Sequence, residues 1–113
     1  MNVYIKRALL YAEVENYELA IDDINKAGSL SENNVEILIA KGDIYSKQKF
    51  FSESAHVYTD AMALDPESGL LYQKRAVSYY FLEKYDKARE DVHKAQSFGV
   101  KVRRSFLNAL ENK

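Results

Sequence analysis

The sequence predicts an all-α fold, a right-handed α-solenoid of three helix-turn-helix repeats followed by a C-terminal capping helix. Two observations predict it. The first is a 34-residue period, because residues 1–34, 35–68 and 69–102 align without insertion or deletion. The second is the spacing inside each unit, where small and apolar residues recur at positions 4, 8 and 11 and again at 20, 24 and 27. That is the i, i+4, i+7 spacing of one helical face, written twice.

Eight columns of the alignment carry the period. Small residues fill unit positions 8, 20 and 27, as Ala8, Gly42 and Ala76; Ala20, Ser54 and Ala88; and Ala27, Ala61 and Ala95. Large residues fill positions 4, 11, 17, 24 and 30, as Tyr4, Leu38 and Tyr72; Tyr11, Tyr45 and Tyr79; Tyr17, Phe51 and Tyr85; Ile24, Tyr58 and Val92; and Leu30, Leu64 and Phe98. Because antiparallel helices approach closely only where one side lacks bulk, the small columns predict where the two helices of a unit pack.

Each unit is expected to hold helices at unit positions 2–14 and 17–30. In chain order these are residues 2–14, 17–30, 36–48, 51–64, 70–82 and 85–98. Asn16 and residues 29–34 supply turn and cap chemistry in the first unit, and residues 65–69 do so after the second. The only proline, Pro66, falls where a helix has already ended, so its missing N–H costs nothing. Phe106 and Leu110 extend the pattern into residues 103–113, which predicts a capping helix or the start of a fourth unit.

The units are expected to form one domain. A two-helix unit of this length cannot bury its own apolar faces, so neighbouring units must stack to complete the core. The first helix is unusual because Val3, Leu10 and Val14 are apolar on the flank that a preceding unit would cover. Two interpretations stay open: residues 1–113 are a piece of a longer protein, or this flank joins another copy of the chain.

The columns resemble those of the tetratricopeptide repeat family. Its 34-residue signature has a large residue at position 4, Gly or Ala at 8, Tyr at 11, Ala at 20, an aromatic or aliphatic residue at 24, Ala at 27 and Pro at 32. The match covers residues 1–102. The chain departs from the signature at position 32, which is Glu32 and Val100 in the outer units, and at position 7, where leucine is common but Arg7, Lys41 and Arg75 stand. The resemblance implies a protein-binding or peptide-binding scaffold.

The charged residues at position 7 have a structural interpretation. Arg7 and Arg75 are each followed sixteen residues later by an aspartate, Asp23 and Asp91, next to the buried position 24. The middle unit has lysine and valine in these two columns. Because antiparallel packing brings the flanks of the two helices together, the sequence predicts an intra-repeat ion pair in the first and third units.

Composition removes several classes of function. Sixteen basic and seventeen acidic residues give a net charge of −1, so there is no bulk electrostatic reason to expect nucleic acid as a partner. Cysteine is absent, and His56 and His93 lie outside any metal-binding or catalytic motif. We therefore expect no enzymatic activity, no metal site and no cofactor. Apolar stretches are shorter than the ~20 residues of a membrane helix, and the chain as given has no signal peptide, which favours a soluble, cytoplasmic protein.

The resemblance also implies where a partner binds. In this family, unit positions 2, 5, 6, 9, 12 and 13 of the first helices line a concave groove that receives a peptide or a partner helix. The predicted contact residues are Ile5, Lys6, Leu9, Ala12, Ile39, Asp43, Lys47, Gln73, Lys74, Val77, Tyr80 and Phe81. Their mixture of aliphatic and basic side chains favours a partner with aliphatic anchors and a few acidic groups.

One specialised form of this groove is not expected. Some family members clamp the C-terminal carboxylates of heat-shock chaperones with lysine, asparagine and arginine at five groove positions. This chain has Ile5, Leu9, Ala40, Leu70 and Lys74 at those positions. Only Lys74 is chemically similar, so a chaperone-tail receptor is not predicted.

Two functional hypotheses follow. The first is a non-enzymatic scaffold that binds a peptide or partner helix in the groove, where polar substitution of Ile39 and Val77 should abolish binding. The alternative is a structural self-assembly unit that uses the flank of Val3, Leu10 and Val14, where polar substitution should change the oligomeric mass.

Overall fold

The computed structural model describes residues 3–30 and 34–113. These residues form seven α-helices and no strand. The helices are α1 (Val3–Glu13), α2 (Tyr17–Leu30), α3 (Val35–Lys47), α4 (Phe51–Leu64), α5 (Gly69–Phe81), α6 (Tyr85–Ser97) and α7 (Arg104–Glu111). The prediction of an all-α helical-repeat solenoid is confirmed. The helix start predicted at residue 2, and the part of the first inter-repeat turn at residues 31–33, lie outside the described residues.

Helix pairs pack at the small columns, as the sequence predicts. The pairs are α1 with α2, α3 with α4, and α5 with α6. Alanines at unit positions 8, 20 and 27 are fully buried where the helices meet. The second pair is a variation, because Gly42 at position 8 lies directly against the ring of Tyr58 at position 24. The missing Cβ of this glycine makes room for the largest residue in that column.

The turn within each repeat has the same backbone geometry three times. Glu15, Lys49 and Glu83, all at unit position 15, have φ values of 61°, 66° and 62°. The N–H of Asn16 donates to the carbonyl of Tyr11 at 2.8 Å, and the equivalent bonds in the other two repeats measure 2.8 and 2.9 Å. This is a Schellman motif, which satisfies carbonyl groups left free at the end of each first helix.

The long helices after the first two inter-repeat turns begin with side-chain caps. Asn34 precedes α3, and its side-chain oxygen accepts a hydrogen bond from the N–H of Glu36 at 2.8 Å. Ser68 precedes α5 and accepts from the N–H of Leu71 at 3.3 Å. These caps satisfy N–H groups that a helix leaves free at its start.

Stacking of neighbouring repeats completes the core. Helix α3 packs on both α1 and α2, and α5 packs on α4. The residues at unit positions 3 and 10 lie in these interfaces, and all four of them are buried: Ile37, Ile44, Leu71 and Ser78. Each repeat after the first therefore buries one flank of its first helix against the repeat before it.

Helix α7 packs back on the third repeat. Leu110 is buried in a cluster with Ala76, Ala88 and Val92. Arg89 of α6 donates from Nη2 to the carbonyl of Leu110 at 2.9 Å and to that of Lys113 at 3.3 Å. A guanidinium at this end of a helix satisfies free carbonyls and complements the helix dipole. None of the helices in the described ranges has the length and apolar character needed to cross a membrane.

Candidate partner-binding site

A cleft lies between α5 and α7 on the predicted concave face. It has a volume of about 500 Å³. Three of the predicted contact residues, Gln73, Lys74 and Val77, line one side of it, together with Leu70 one turn earlier. The full lining is Leu70, Gln73, Lys74, Val77, Arg103, Ser105, Phe106 and Ala109. We call this the α5–α7 cleft.

Half of the α5–α7 cleft comes from residues that sequence reasoning missed. Arg103, Ser105, Phe106 and Ala109 belong to α7 and the residue before it. The pattern of Phe106 and Leu110 indicated a helix here, but it did not indicate that this helix would form the second wall of the groove. The sequence feature that could have indicated this wall is the amphipathic pattern of α7. One side of the helix is apolar and packs on the third repeat, and the edge beside it carries both polar and apolar residues.

The chemistry of the α5–α7 cleft is cationic and apolar. Arg103 contributes positive charge, as does Lys74, which shares its charge with Asp43 outside the lining at 3.0 Å. Leu70 is 48% exposed, so an apolar surface is open to a ligand. A cleft with this lining can receive an acidic group and an aliphatic group side by side.

Lys74 is held in place by the neighbouring repeat. Its Nζ lies 3.0 Å from Oδ1 of Asp43, and the hydroxyl of Tyr58 donates to the same oxygen at 2.6 Å. Burial of Tyr58, followed by the nearby charge of Asp43, raises the pKa of its phenol. The tyrosine therefore stays protonated and keeps donating to Asp43, so Asp43 links a core residue to a cleft residue.

The structure corrects two predicted groove residues. Ile5 and Ala12 were expected on the open face, but only 2% and 1% of their surfaces are exposed. Both lie in a core cluster with Ile37, Ala40 and Ile44 of α3. The physical reason is that α3 packs directly on α1, so unit positions 5 and 12 of the first repeat lie in the inter-repeat interface.

Tyr80, predicted in the groove, packs toward α7. Its ring centroid is 5.5 Å from that of Phe106 and 5.6 Å from that of Tyr85. Phe81, next to it, is 57% exposed and stacks on Phe51 at 4.6 Å between centroids. Tyr80 is thus chiefly a packing residue, while Phe81 presents an open edge beside the groove.

The remaining predicted residues lie on the first two repeats. Lys6 and Lys47 are exposed, and Leu9 and Ile39 are half-buried. Leu9 packs against the core of the first repeat, and Ile39 against the cluster around Tyr58 and Leu71. Leu9 and Ile39 therefore share their apolar atoms with the core, while Lys6 and Lys47 are open to solvent.

The flank of α1 is exposed as predicted. Val3, Leu10 and Val14 are 76%, 59% and 73% exposed. In the columns of Val3 and Leu10, the residues of the second repeat, Ile37 and Ile44, are buried, as are those of the third. The first repeat therefore leaves open the surface that the other repeats bury.

The predicted ion pairs are confirmed, and both are bidentate. Arg7 donates from Nε and Nη2 to the two carboxylate oxygens of Asp23, each at 2.8 Å. Arg75 makes the same two bonds to Asp91, also at 2.8 Å. The hydrogen bonds from Arg7 hold the pKa of Asp23 below its usual range, and the hydrogen bond to Asp91 raises the pKa of Arg75.

Each of these arginines also lies beside two tyrosines of its own helix. The guanidinium carbon of Arg75 is 5.7 Å from the ring centroid of Tyr72 and 5.3 Å from that of Tyr79. In the first repeat, Arg7 lies in the same way beside Tyr4 and Tyr11. The arginine column is therefore part of the repeat's packing rather than a binding site. Among the described residues, no group of histidines and carboxylates could hold a metal ion.

Comparison with known proteins identifies the repeat. A family model described as tetratricopeptide repeat matches residues 2–34, the first unit. Superkiller protein 3 of Schizosaccharomyces pombe is 40% identical over 60 residues, which are 53% of this chain and 4% of that protein. Tetratricopeptide repeat protein 28 of Homo sapiens is 26% identical over 79 residues, which are 62% of this chain and 3% of that protein. The chain thus spans a small fraction of both relatives.

A solved structure shows the same fold over almost the whole chain. The first tetratricopeptide repeat domain of Spaghetti (RPAP3), bound to the HSP90 peptide SRMEEVD, superposes with a TM-score of 0.84. The match covers 97% of this chain and 86% of that domain, at 20% identity. The columns, the three paired helices and these comparisons agree. The first unit matches the tetratricopeptide repeat model, and the chain has the fold of a solved tetratricopeptide repeat domain.

Proposed function

We propose that this chain is a non-enzymatic protein-interaction scaffold that binds a peptide or partner helix in its concave groove, centred on the α5–α7 cleft. The observation that carries the proposal is the cleft itself, where Lys74 and Arg103 stand beside the open side chain of Leu70. The fold supports this function because tetratricopeptide repeats bind proteins, and the domain of Spaghetti was solved with a bound peptide.

The partner should combine acidic and aliphatic residues. An acidic group can approach Lys74 and Arg103, and an aliphatic side chain can cover Leu70, Val77 and Phe106. A carboxylate clamp of the chaperone-binding kind does not fit this chain. At one clamp position the side chain is Ile5, which is buried and cannot reach a ligand.

A displayed library of random peptides tests the proposal. Selection on this chain should enrich peptides that carry Asp or Glu next to Leu, Ile or Val. Binding of the selected peptides should weaken at least about tenfold with Leu70→Asp or Arg103→Glu, because a lost charge pair or apolar contact at a desolvated site is worth about 1–3 kcal/mol. Leu70 is a better probe than Ile39, because Ile39 also packs in the core.

Matched controls separate binding from folding. Leu64→Asp changes a leucine of similar exposure at the end of α4, and Lys94→Glu reverses a charge on the exposed face of α6. Both controls should leave peptide binding unchanged. The proposal fails if the selected peptides bind the cleft variants and the control variants with equal affinity.

A second candidate function is self-association through the flank of α1. The specific observation in its favour is that Val3, Leu10 and Val14 are exposed, and that the other members of the columns of Val3 and Leu10 are buried between repeats. Light scattering over a range of concentrations tests it directly. A mass above that of one chain, reduced by Leu10→Glu, is the expected result, and a monomer at every concentration would refute it.

A further inference from the structure

We infer that a second copy of this chain covers the α1 flank in an antiparallel, two-fold arrangement, with Lys6 of each copy beside Glu13 of the other. The inference rests on the self-association proposed above and specifies its geometry. It is independent of peptide binding in the α5–α7 cleft, which lies at the opposite end of the solenoid.

The apolar stripe of α1 is suited to another helix. Val3 and Leu10 are seven residues apart and lie on one side of α1, and Val14 follows the end of the helix with its N–H donating to the carbonyl of Leu10 at 3.4 Å. All three are exposed. Their sector is the one through which α3 and α5 pack on the preceding repeat, with Ile37 and Leu71 in the column of Val3. This sector therefore has the position and chemistry of a helix-packing surface.

Head-to-tail stacking of copies is blocked at the other end. The surface that a following repeat would cover on the third repeat is already occupied by α7, through Leu110, Phe106 and Leu107. The carbonyls of Leu110 and Lys113 are held by Arg89, which fixes α7 in this place. The C-terminal end of a second copy therefore offers no free stacking surface to the α1 flank. The surface of a second copy that matches this flank is its own α1 flank, and an interface between two such flanks is two-fold symmetric.

Charge fixes the direction of the two helices. Lys6 and Glu13 are both exposed and lie seven residues apart along the same edge of the stripe, about 10 Å from each other along the axis. Neither forms an ion pair within the described part of the chain. In an antiparallel pair with its two-fold axis near Leu10, Lys6 of each copy comes level with Glu13 of the other. A parallel two-fold pair would place the two edges on opposite sides of the interface, so that Lys6 of one copy would not meet Glu13 of the other.

Apolar packing agrees with the same axis. An axis near the middle of α1 places Val3 of one copy beside Val14 of the other and brings the two Leu10 side chains together at the centre. The pair of Val3 and Val14 is centred between residues 8 and 9, and the pair of Lys6 and Glu13 is centred between residues 9 and 10. The two kinds of contact therefore share nearly the same two-fold axis. Both sets of contacts can form in a single arrangement.

Cross-linking measures the geometry without interference, because the chain has no cysteine. A mixture of the Lys6→Cys and Glu13→Cys variants, treated with a short bis-maleimide, should give mixed cross-linked dimers in clear excess over either variant alone. Ser97→Cys on α6, paired with either variant, serves as the control and should give none. Mixed dimers support the arrangement. Dimers that form in solution but cross-link no better in the mixture overturn it.

Charge exchange and stripe removal complete the test. Lys6→Glu and Glu13→Lys should each weaken dimerisation, and the double exchange should restore it. Leu10→Glu should weaken dimerisation by roughly ten- to hundredfold, because it replaces an apolar side chain at the centre of the interface with a charged one. Circular dichroism confirms that this exposed substitution leaves the fold intact. A chain that is monomeric at every concentration, or a dimer unchanged by Leu10→Glu, overturns the inference, while peptide selection on the α5–α7 cleft remains a separate measurement.

Discussion

Gly42 and Tyr58 show how two columns of the repeat depend on each other. The first and third repeats combine alanine at position 8 with Ile24 or Val92 at position 24, whereas the second combines glycine with tyrosine. A Cβ on Gly42 would overlap the ring of Tyr58, which is 2% exposed and has no room to move away. The small residue is thus matched to the size of its partner.

Gly42→Ala should therefore destabilise the protein by about 1–3 kcal/mol, because overpacking exceeds the gain in helix propensity of about 1 kcal/mol. Denaturant unfolding measures the change. Gly28→Ala is the matched control, since no atom lies within 4 Å of its added Cβ, and it should be neutral or stabilising. Combining Gly42→Ala with Tyr58→Ile, as in the first repeat, should recover part of the loss. Equal effects of Gly42→Ala and Gly28→Ala would contradict this interpretation.

Each intra-repeat turn contains a non-glycine residue whose backbone has a positive φ, in the left-handed region. Lys49 has a φ of 66°, a region in which a side chain is strained and glycine is not. Lys49→Gly should stabilise the protein by roughly 0.5–1 kcal/mol. Lys47→Gly, two residues earlier in the last turn of α3, should destabilise it by a similar amount. The opposite signs, measured by thermal or denaturant unfolding, distinguish backbone strain from a general effect of glycine.

At the scale of elements, the bidentate ion pairs fasten the two helices of the outer repeats. Asp23 is 3% exposed and accepts two hydrogen bonds from Arg7. These bonds lower the pKa of Asp23 below its usual range. A carboxylate whose pKa is lower in the folded than in the unfolded state stabilises the fold above the unfolded pKa, about 3.9, and loses this contribution as the pH falls through the folded pKa.

Asp23→Asn should therefore reduce the free energy of unfolding at pH 7, and the difference from the parent chain should shrink as the pH falls below about 4. Urea unfolding at a series of pH values measures both chains. Asp22→Asn, an exposed neighbour, is the control and should show little change at either pH. A difference for Asp23→Asn that is constant from pH 7 to pH 2 would refute the role of the ionised pair.

Helix α7 is the element on which the proposed site depends most. It supplies half of the cleft lining and is held by Leu110 in the core and by Arg89 at its C-terminal end. An arginine hydrogen bond to helix carbonyls contributes about 1 kcal/mol, enough to change the frequency of local opening but not the global fold.

Arg89→Met should raise hydrogen exchange of the α7 amides by roughly fivefold and leave exchange in α3 unchanged. Arg104→Met, which changes an exposed arginine on α7 itself, should leave both unchanged. Hydrogen exchange followed by mass spectrometry resolves the two helices. If α3 and α7 respond equally, Arg89 supports the whole domain rather than the wall of the cleft.

At the scale of the whole molecule, the solenoid has two unlike ends. The C-terminal end is closed by α7, which turns the last part of the groove into a cleft. The first helix exposes Val3, Leu10 and Val14, and the columns of Val3 and Leu10 are buried between repeats elsewhere. In the described residues, one stacking geometry therefore accompanies both candidate surfaces: a cleft where α7 packs on the third repeat, and an exposed flank on α1.

The repeat period, the helix pairs and the arginine–aspartate pairs could be predicted from sequence because each depends on contacts inside one 34-residue unit. Such contacts make the same residue types recur every 34 residues, since every unit must pack its own two helices. Ala8, Ala20 and Asp23 are examples, and the structure places all three where the pattern predicted.

Tertiary structure decided which groove residues are exposed, because the exposure of a helix face depends on where the neighbouring helix packs. Ile5 and Gln73 share unit position 5, yet Ile5 is buried by α3 while Gln73 lines the α5–α7 cleft. The sequence by itself determined how each repeat is built and that its flanks must stack. Only the packing of one repeat on the next decided which residues remain accessible to a partner, because this packing differs between the two junctions: α3 packs on both α1 and α2, whereas α5 packs on α4.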